Sequence, residues 1–400
     1  MHSLDSNHII VGMSGGVDSS VAALLLKRQG HRVSGLFMKN WDEDDGEPYC
    51  TAKQDLEDAT KVCERIGIEL HTANFAAEYW DDVFSAFLRE YEAGRTPNPD
   101  VLCNREIKFK QFARYAEALG ADQTATGHYA RIAMRGGRLR LLKGADAGKD
   151  QSYFLQALNI DQLSTAIFPL GDMKKTEVRR IARKQGFHNH GKKDSTGICF
   201  IGERRFRDFL HRYLPHNPGP MVDEAGATLG EHIGLPYYTR GQRQGLAVGG
   251  VAGRREAPWY VLDKDMAANR LIVTQDPAAL CNDGLVASRL NWLGEPPPLP
   301  LRCTAKVRHR QPDQAAWVSA REPGSVTVRF DTPQRAITPG QYVCFYDADV
   351  CLGGGVIESF SNVEASIPFH GSTGDGHAAD SPSFRLGGLG ALGQAEGSHD

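Results

Sequence analysis

No apolar run in this chain is long enough to cross a membrane; the longest helical one covers only Val21 to Leu26. The opening residues, Met1-His2-Ser3-Leu4-Asp5, lack the basic and apolar regions of a secretory signal, so a cytoplasmic protein is expected. Cysteine is scarce, 8 in 400 residues, and none sits in a Cys-x-x-Cys pair. That excludes a disulfide framework and a zinc site of the paired kind, and no protein metal-ligand set is predicted. In a reducing compartment any disulfide would be transient and chemical. The Walker phosphate loop is missing too, because no Gly-Lys-Ser/Thr follows a glycine-rich turn. Charge of one sign is also lacking: the net value of −3 argues against wholesale nucleic-acid binding. Its distribution is uneven, however, with twelve Lys or Arg against five Asp or Glu between Phe168 and Arg212. Such a run reads either as a solvated helix face or as a phosphate-binding surface.

What is present begins with Ile9-Ile10-Val11-Gly12-Met13-Ser14-Gly15-Gly16-Val17-Asp18-Ser19-Ser20. An apolar strand breaks into a Gly/Ser turn that leads into a helical pattern, Val21 to Gln29, closed by Gly30. Gly15 and Gly16 let backbone approach a phosphate, Ser14 and Ser19 supply donors, and the helix N-terminus adds a favourable dipole. Asp18 is out of place beside a polyanion unless a metal or a substrate amide needs it.

The remainder predicts an α/β protein of several domains. Strands at Arg32–Met38, Glu69–Phe75 and Asp122–Thr126 alternate with helices at Asp55–Ile66, Ala77–Tyr91 and Arg105–Leu119, the pattern of a parallel sheet covered on both faces. Ligands bind such sheets at the carboxyl ends of the strands, where the Ser14–Ser20 turn would lie. A hairpin over Ile132–Leu142 is expected as an addition to this domain, with helices around Tyr153 and Arg179. Asn217-Pro218-Gly219-Pro220 and the proline run Glu295–Pro300 read as boundaries. The division is therefore a parallel-sheet domain over 1–215, a small central domain over 216–295, a C-terminal β-barrel over 296–360 and a disordered tail over 361–400.

Three further stretches are unsuited to plain structure. In Thr96-Pro97-Asn98-Pro99-Asp100-Val101-Leu102-Cys103-Asn104 two prolines stiffen a loop from which Asn98 and Asp100 project. Cys103 then falls near the start of a helix, where the dipole, Arg105 and Lys108 favour thiolate; the alternative is a buried structural cysteine. Asp194-Ser195-Thr196-Gly197-Ile198-Cys199-Phe200-Ile201-Gly202 places a second cysteine after the basic run. Thr126-Gly127-His128-Tyr129 ends a strand on the ligand edge, with His128 either a nucleotide neighbour or a satisfied structural residue. Lys149-Asp150-Gln151-Ser152 opens a helix whose Lys-Asp pair either caps it or touches a substrate. The acidic Trp41–Asp45 loop reads as solvated rather than as a metal cage.

Taken together with Phe37-Met38-Lys39-Asn40-Trp41 and Lys149–Phe154, these motifs resemble the bacterial tRNA 2-thiouridylases up to about Glu358. Those enzymes are a branch of the pyrophosphate-loop ATP pyrophosphatases. The loop alone would match many enzymes; the two cysteine stretches match this family far more narrowly. The resemblance implies an adenine nucleotide α-hydrolase-like N-terminal domain that binds ATP through Gly12, Met13, Ser14, Gly15, Gly16, Val17, Asp18, Ser19, Met38 and Gly127. It implies Mg²⁺ as cofactor and adenylation of O2 of the wobble uridine in tRNAs for Lys, Glu and Gln. A persulfide on Cys199 would then deliver sulfur to C2. Cys103 would complete the exchange by releasing sulfide or by forming a transient Cys103–Cys199 disulfide. Asn98, Pro99 and Asp100 would hold the target base, with Asp100 its acid–base group. His128, Lys149, Asp150, Gln151, Arg308, His309 and Gln341 would touch tRNA, although the family often has tyrosine where His309 stands. A cysteine desulfurase or small sulfur carrier would supply sulfur to a monomeric enzyme. Two other classes remain open on the residues alone: an ammonia-using or 4-thiouridine-forming enzyme on the same loop, and a non-catalytic RNA-binding or sulfur-carrier protein.

Overall fold

The computed structural model describes residues 7–42, 52–194, 206–248 and 256–362. Strands β1 (His8–Gly12), β2 (Arg32–Lys39), β3 (Leu70–Asn74) and β4 (Gln123–Ala125) form with Ala166–Ile167 a five-stranded sheet in the order β3-β2-β1-β4, then Ala166–Ile167. All its pairings are parallel. Helices α1 (Val17–Arg28) and α2 (Ala52–Ile66) pack on one face with the helix Lys175–Gln185. Two longer helical runs, 76–92 and 99–118, cover the other. The turn after β1 sits between β1 and β4, where the winding of the chain reverses, the point at which such sheets take their ligands.

The second helical run starts at Pro99, six residues ahead of the predicted Arg105. The reason is local. Asn98 caps it, its Oδ1 accepting from the Asp100 N–H at 3.2 Å, and Pro99 occupies the first turn where its missing N–H costs nothing. The rigid loop therefore ends at Asn98, and Cys103 lies inside the helix. Cys103–Gln111 and Trp80–Phe84 are wound more widely, as π-helix, which shifts later side chains around the axis and blurs the 3.6 period.

The barrel corrects two expectations. Strand Cys281–Trp292 pairs with both Val326–Arg335 and Val350–Ser361, closing a six-stranded barrel with Leu301–Lys306, Gln314–Ala320 and Tyr342–Asp347. The barrel thus begins at Cys281, not after the proline run, and those prolines join two of its strands. The hairpin Ala130–Arg135/Arg138–Lys143 is also not an addition to the parallel sheet. It extends the barrel sheet, Val350 and Cys351 pairing with Leu142 and Leu141. A separate four-stranded sheet of Tyr260–Asp265, Arg270–Thr274, Gly219–Val222 and Thr228–His232 makes the central domain, so the expected linker Asn217–Pro220 runs into a strand. Met221, Val261 and Leu271 of this domain share one apolar core with Phe84, Phe87 and Ile107.

Gln341 fastens the barrel to the loop that carries Asn98, its Nε2 donating to the Thr96 carbonyl at 2.8 Å and the Pro97 carbonyl at 3.1 Å. Thr96 N–H donates in turn to the Pro339 carbonyl at 2.9 Å. Replacing Gln341 with Ala should cost about 1–2 kcal/mol through two lost bonds. Urea unfolding would read that loss.

Candidate active site

The loop after β1 is built as an anion cradle. Gly16 precedes α1 in extended backbone without a side-chain cap, which leaves the first helical N–H groups directed outward. Ser19 Oγ accepts from the Ser14 N–H at 3.2 Å and donates to the Gly16 carbonyl at 3.1 Å, which fixes the turn from within. Gly15 is left-handed at φ +69, and a Cβ there would fall 2.3 Å from the Asp55 carbonyl. Asn189 Nδ2 donates to the Gly15 carbonyl and to Ser20 Oγ, both at 3.0 Å. Lys192 joins Asp55 and Asp58 beside it at 2.7 and 2.6 Å.

Gly127, at the end of β4, meets this loop: a Cβ would lie 2.9 Å from the Asp18 backbone carbon, Asp18 Cβ and the Ser19 nitrogen. Met38 stands over Gly12, its Cε 3.5 Å from the place of a Cβ there, with Phe112 of the second helical run at 3.7 Å. The loop, β2, β4 and that run thus converge at the carboxyl ends of the strands.

Asp18 is not a lone acid. Lys175 Nζ donates to both its oxygens at 2.7 Å, and the Tyr129 hydroxyl donates at 2.9 Å. Lys175 also pairs with Asp194 at 2.8 Å, and Asp194 takes Lys149 and Arg179 at 2.6 Å each. Burial works against the Asp194 charge, but the hydrogen bonds from Lys149 and Lys175 outweigh it and hold the carboxyl at about 2. The basic run is therefore neither wholly solvated nor wholly open: Lys175, Arg179 and Lys192 are committed to carboxylates around the loop. Lys175, Asn189 and Lys192 were not singled out from the sequence. Lys175 and Lys192 had the charge surplus as a signal, and Asn189 had none.

Cys103 is buried, with 1 % of its surface exposed. Asp100, three residues earlier, is largely enclosed; burial pushes its carboxyl up, and Lys108 partly opposes the shift. His128 is held neutral, its basicity well below the usual range through burial first and the Lys108 charge second. Its Nδ1 pairs with Thr126 Oγ1 at 2.7 Å. Because folding lowers its pKa, His128 gives stability in full above about pH 6.5, and that stability is lost as pH falls below it. The urea midpoint should drop between pH 7.5 and 5.5, and less steeply in His128→Gln.

The other predicted contacts have partners inside the fold. Asp150 is buried and accepts from Gly144 N–H, Ser152 N–H and Ser152 Oγ at 3.0–3.1 Å. Gln151 exchanges two bonds with Tyr129, each at 2.9 Å. His309 packs against Phe154 with the rings tilted and their centroids 4.4 Å apart, and its Nε2 lies 2.7 Å from the Asp150 carbonyl, while Arg308 donates to the Ala336 carbonyl at 2.9 Å. Asp42 of the acidic loop pairs with Lys39 at 2.6 Å. Cys199, residues 43–45 and the 363–400 stretch lie outside the described residues. Among the described residues no helix is long and apolar enough to cross a membrane.

Fold and loop together define a nucleotide-binding α/β domain joined to two small β domains. Residues 7–203 match the family described as tRNA methyl transferase HUP domain. Residues 207–275 match a tRNA methyl transferase PRC-barrel domain and 282–357 an aminomethyltransferase beta-barrel domain. Curated relatives named "tRNA-specific 2-thiouridylase MnmA" are similar over most of the chain. The protein of Methylococcus capsulatus is 61% identical over 90% of this chain and 98% of its own length. Those of Chromohalobacter salexigens and Pseudomonas aeruginosa are 59% and 61% identical, each over 88% of this chain and 93% and 94% of their own. The chain belongs to the tRNA-specific 2-thiouridylase family, a family of enzymes.

Proposed function

We propose that this enzyme replaces oxygen by sulfur at C2 of the wobble uridine in tRNAs for Lys, Glu and Gln. Uracil O2 is a poor leaving group and must first be activated. In the proposed reaction, O2 attacks the α-phosphate of ATP held by Gly12–Ser19, Met38 and Gly127, and pyrophosphate leaves. Mg²⁺ bound with ATP would offset the charge of that leaving group; because Lys175 already holds both Asp18 oxygens, the ion would rest on the phosphates rather than on Asp18. The target base leaves the anticodon stack, as base-modifying enzymes require. Asn98 and Pro99 would seat it, and Asp100, with its raised carboxyl, would give or take the proton on the ring.

The terminal sulfur of a Cys199 persulfide then attacks C2, and the C2–O2 bond breaks as AMP departs. Cys103 attacks the Cys199 sulfur, breaking the S–S bond and leaving a Cys103–Cys199 disulfide for an outside thiol to reduce. In the alternative order, Cys103 attacks first, and the released sulfide performs the substitution. The persulfide comes from a cysteine desulfurase or a small carrier protein. His128, Lys149, Asp150, Gln151, Arg308, His309 and Gln341 would shape the tRNA surface of a cytoplasmic monomer.

The observation that carries this reading is the network Asp18–Lys175–Asp194. It ties the anion cradle to the residue directly preceding the Ser195–Cys199 segment. The test is incorporation of labelled sulfur into unmodified tRNA-Glu with ATP, Mg²⁺ and a persulfide donor. Label should appear with wild type and vanish with Cys199→Ser. RNA-dependent pyrophosphate release without label would instead favour an ammonia-using enzyme.

A further inference from the structure

None of the residues used above for ATP, base or RNA lies in the central domain, whose sheet runs from Gly219 to Thr274. Its contact with the chain just ahead of Asn98 gives it a part. The 76–92 run ends on Gly94, left-handed at φ +76. The Gly94 N–H donates to the Tyr91 carbonyl and the Arg95 N–H to the Glu90 carbonyl, each at 2.9 Å. Such a glycine-capped helix end leaves the Gly94 carbonyl to an outside donor.

Lys264, on the central-domain strand Tyr260–Asp265, is that donor, its Nζ 2.9 Å from the Gly94 carbonyl oxygen. Met266 lies against the same glycine: a Cβ at Gly94 would fall 2.3 Å from its Sδ. Thr239 of the same domain adds a hydroxyl contact with Thr96 at 3.4 Å. Lys264 makes no ion pair among the described residues, and burial pulls its ammonium down to about 8, with the Asp263 charge opposing. Holding a cation there costs desolvation that an apolar side chain would avoid, and the Gly94 carbonyl is what it holds in return. The barrel grips the residues that follow. Glu358 takes Arg95 Nη1 at 2.6 Å, and Pro339 and Gln341 hold Thr96 and Pro97. Residues 94–97 are therefore where all three domains meet, and Asn98 follows directly.

We propose that the central domain sets the position of the base seat, with Lys264 as its positioning residue. The ammonium anchors Gly94, so that Asn98, Pro99 and Asp100 present a fixed face to the target base. Pro97 and Pro99 stiffen the intervening chain, which passes a displacement at Gly94 on to the seat. The proposal rests on the base-seat role given above to Asn98–Asp100; the anchor on Gly94 does not.

The test uses the full chain with Lys264→Met, which removes the donor, and Lys264→Arg, which keeps one. Hydrogen–deuterium exchange at the Arg95 and Thr96 amides reads the anchor, and RNA-dependent pyrophosphate release reads its use. Exchange at those two amides should quicken about tenfold in Lys264→Met, with the β1 amides unchanged. The kcat should fall about tenfold, with the KM for ATP and the affinity for RNA as in wild type. Lys264→Arg should recover most of both. If Lys264→Met does not fold, Met266→Ala, a truncation at a side chain 44% exposed, takes its place under the same exchange and kcat criteria. Wild-type exchange in the folded variant overturns the proposal, and so does faster exchange with kcat unchanged. A lower melting temperature with wild-type kcat per folded molecule marks Lys264 as a structural residue and overturns it too. Wild type without RNA-dependent release would overturn the thiolation reading instead; faster exchange would then keep the anchor, and unchanged exchange would remove it.

Discussion

Replacing Lys175 with Met should reduce RNA-dependent pyrophosphate release about 100-fold, the scale expected when reacting groups are displaced by an ångström or so. The side chain is 10% exposed, and its ammonium lies 2.7 Å from Asp18 and 2.8 Å from Asp194. Without it two carboxylates share a cleft designed to receive a polyphosphate, and the Asp18 charge points at the incoming anion uncompensated. Stability should fall by about 2 kcal/mol, between the limits for surface and buried ion pairs, because both carboxylates remain partly solvated. Lys175→Arg keeps the charge and should recover most of the stability. The pH dependence separates a charge effect from lost packing. In the wild type, folding depresses the Asp194 pKa to about 2, so its contribution is complete above about pH 4 and lost as pH falls towards 2. Lys175→Met removes one of the hydrogen bonds that hold it there, so in the variant the acid-driven loss should still begin near pH 4 but be smaller and end at a higher pH. Pyrophosphate release within about threefold of wild type, with an unchanged acid limb, would refute the role.

Much of this site was legible in the chain because its local rules agree with one another. A buried strand, a Gly/Ser turn and a helix leave few options for Gly12–Ser19, and the turn lies where that pattern places it. The cysteine stretches were specific enough to point to the family. The misread parts have identifiable causes. Asn98-Pro99 reads as loop stiffening, yet an Asn followed by Pro is equally a helix cap and first turn, and nothing local separates the two. The hairpin at 130–143 is local in sequence, but its outer partner is Val350–Cys351, some 200 residues on. Likewise the proline run marks a real break in hydrogen bonding, but only the pairing of Cys281–Trp292 reveals it as a connection within the barrel. The charges were the least legible. Lys175, Arg179 and Lys192 count as a basic surplus until the fold places Asp18, Asp194, Asp55 and Asp58 against them.

The second large effect is expected at Gly15 and Gly127, and it should separate the loop's glycines, which look alike in the sequence. Ala at position 15 would meet two penalties. The left-handed backbone at φ +69 costs an L-residue about 1–2 kcal/mol. Its Cβ would also stand 2.3 Å from the Asp55 carbonyl, backbone of α2 that cannot rotate aside. Either α2 retreats or the turn opens, and the second would detach the Gly15 carbonyl from Asn189. At position 127 the backbone conformation is permissive, and the penalty is contact alone, 2.9 Å to three atoms of Asp18 and Ser19. The displaced atoms are those that begin α1, so Gly127→Ala should raise the KM for ATP more than it lowers the melting temperature. Gly16→Ala would meet only Ser14 Oγ at 3.2 Å, a rotatable hydroxyl, and Gly12→Ala would meet nothing nearer than Met38 Cε at 3.5 Å. The expected order of damage is therefore Gly15, Gly127, Gly16, Gly12. The first two should lose at least about 100-fold in kcat/KM for ATP, and Gly12→Ala should stay near wild type. A phosphate cradle that depended only on glycine's lack of a side chain towards the ligand would rank Gly12 and Gly16 with the others. Measuring the four variants side by side thus tests whether the loop is held from behind, by α2 and β4, as the packing requires.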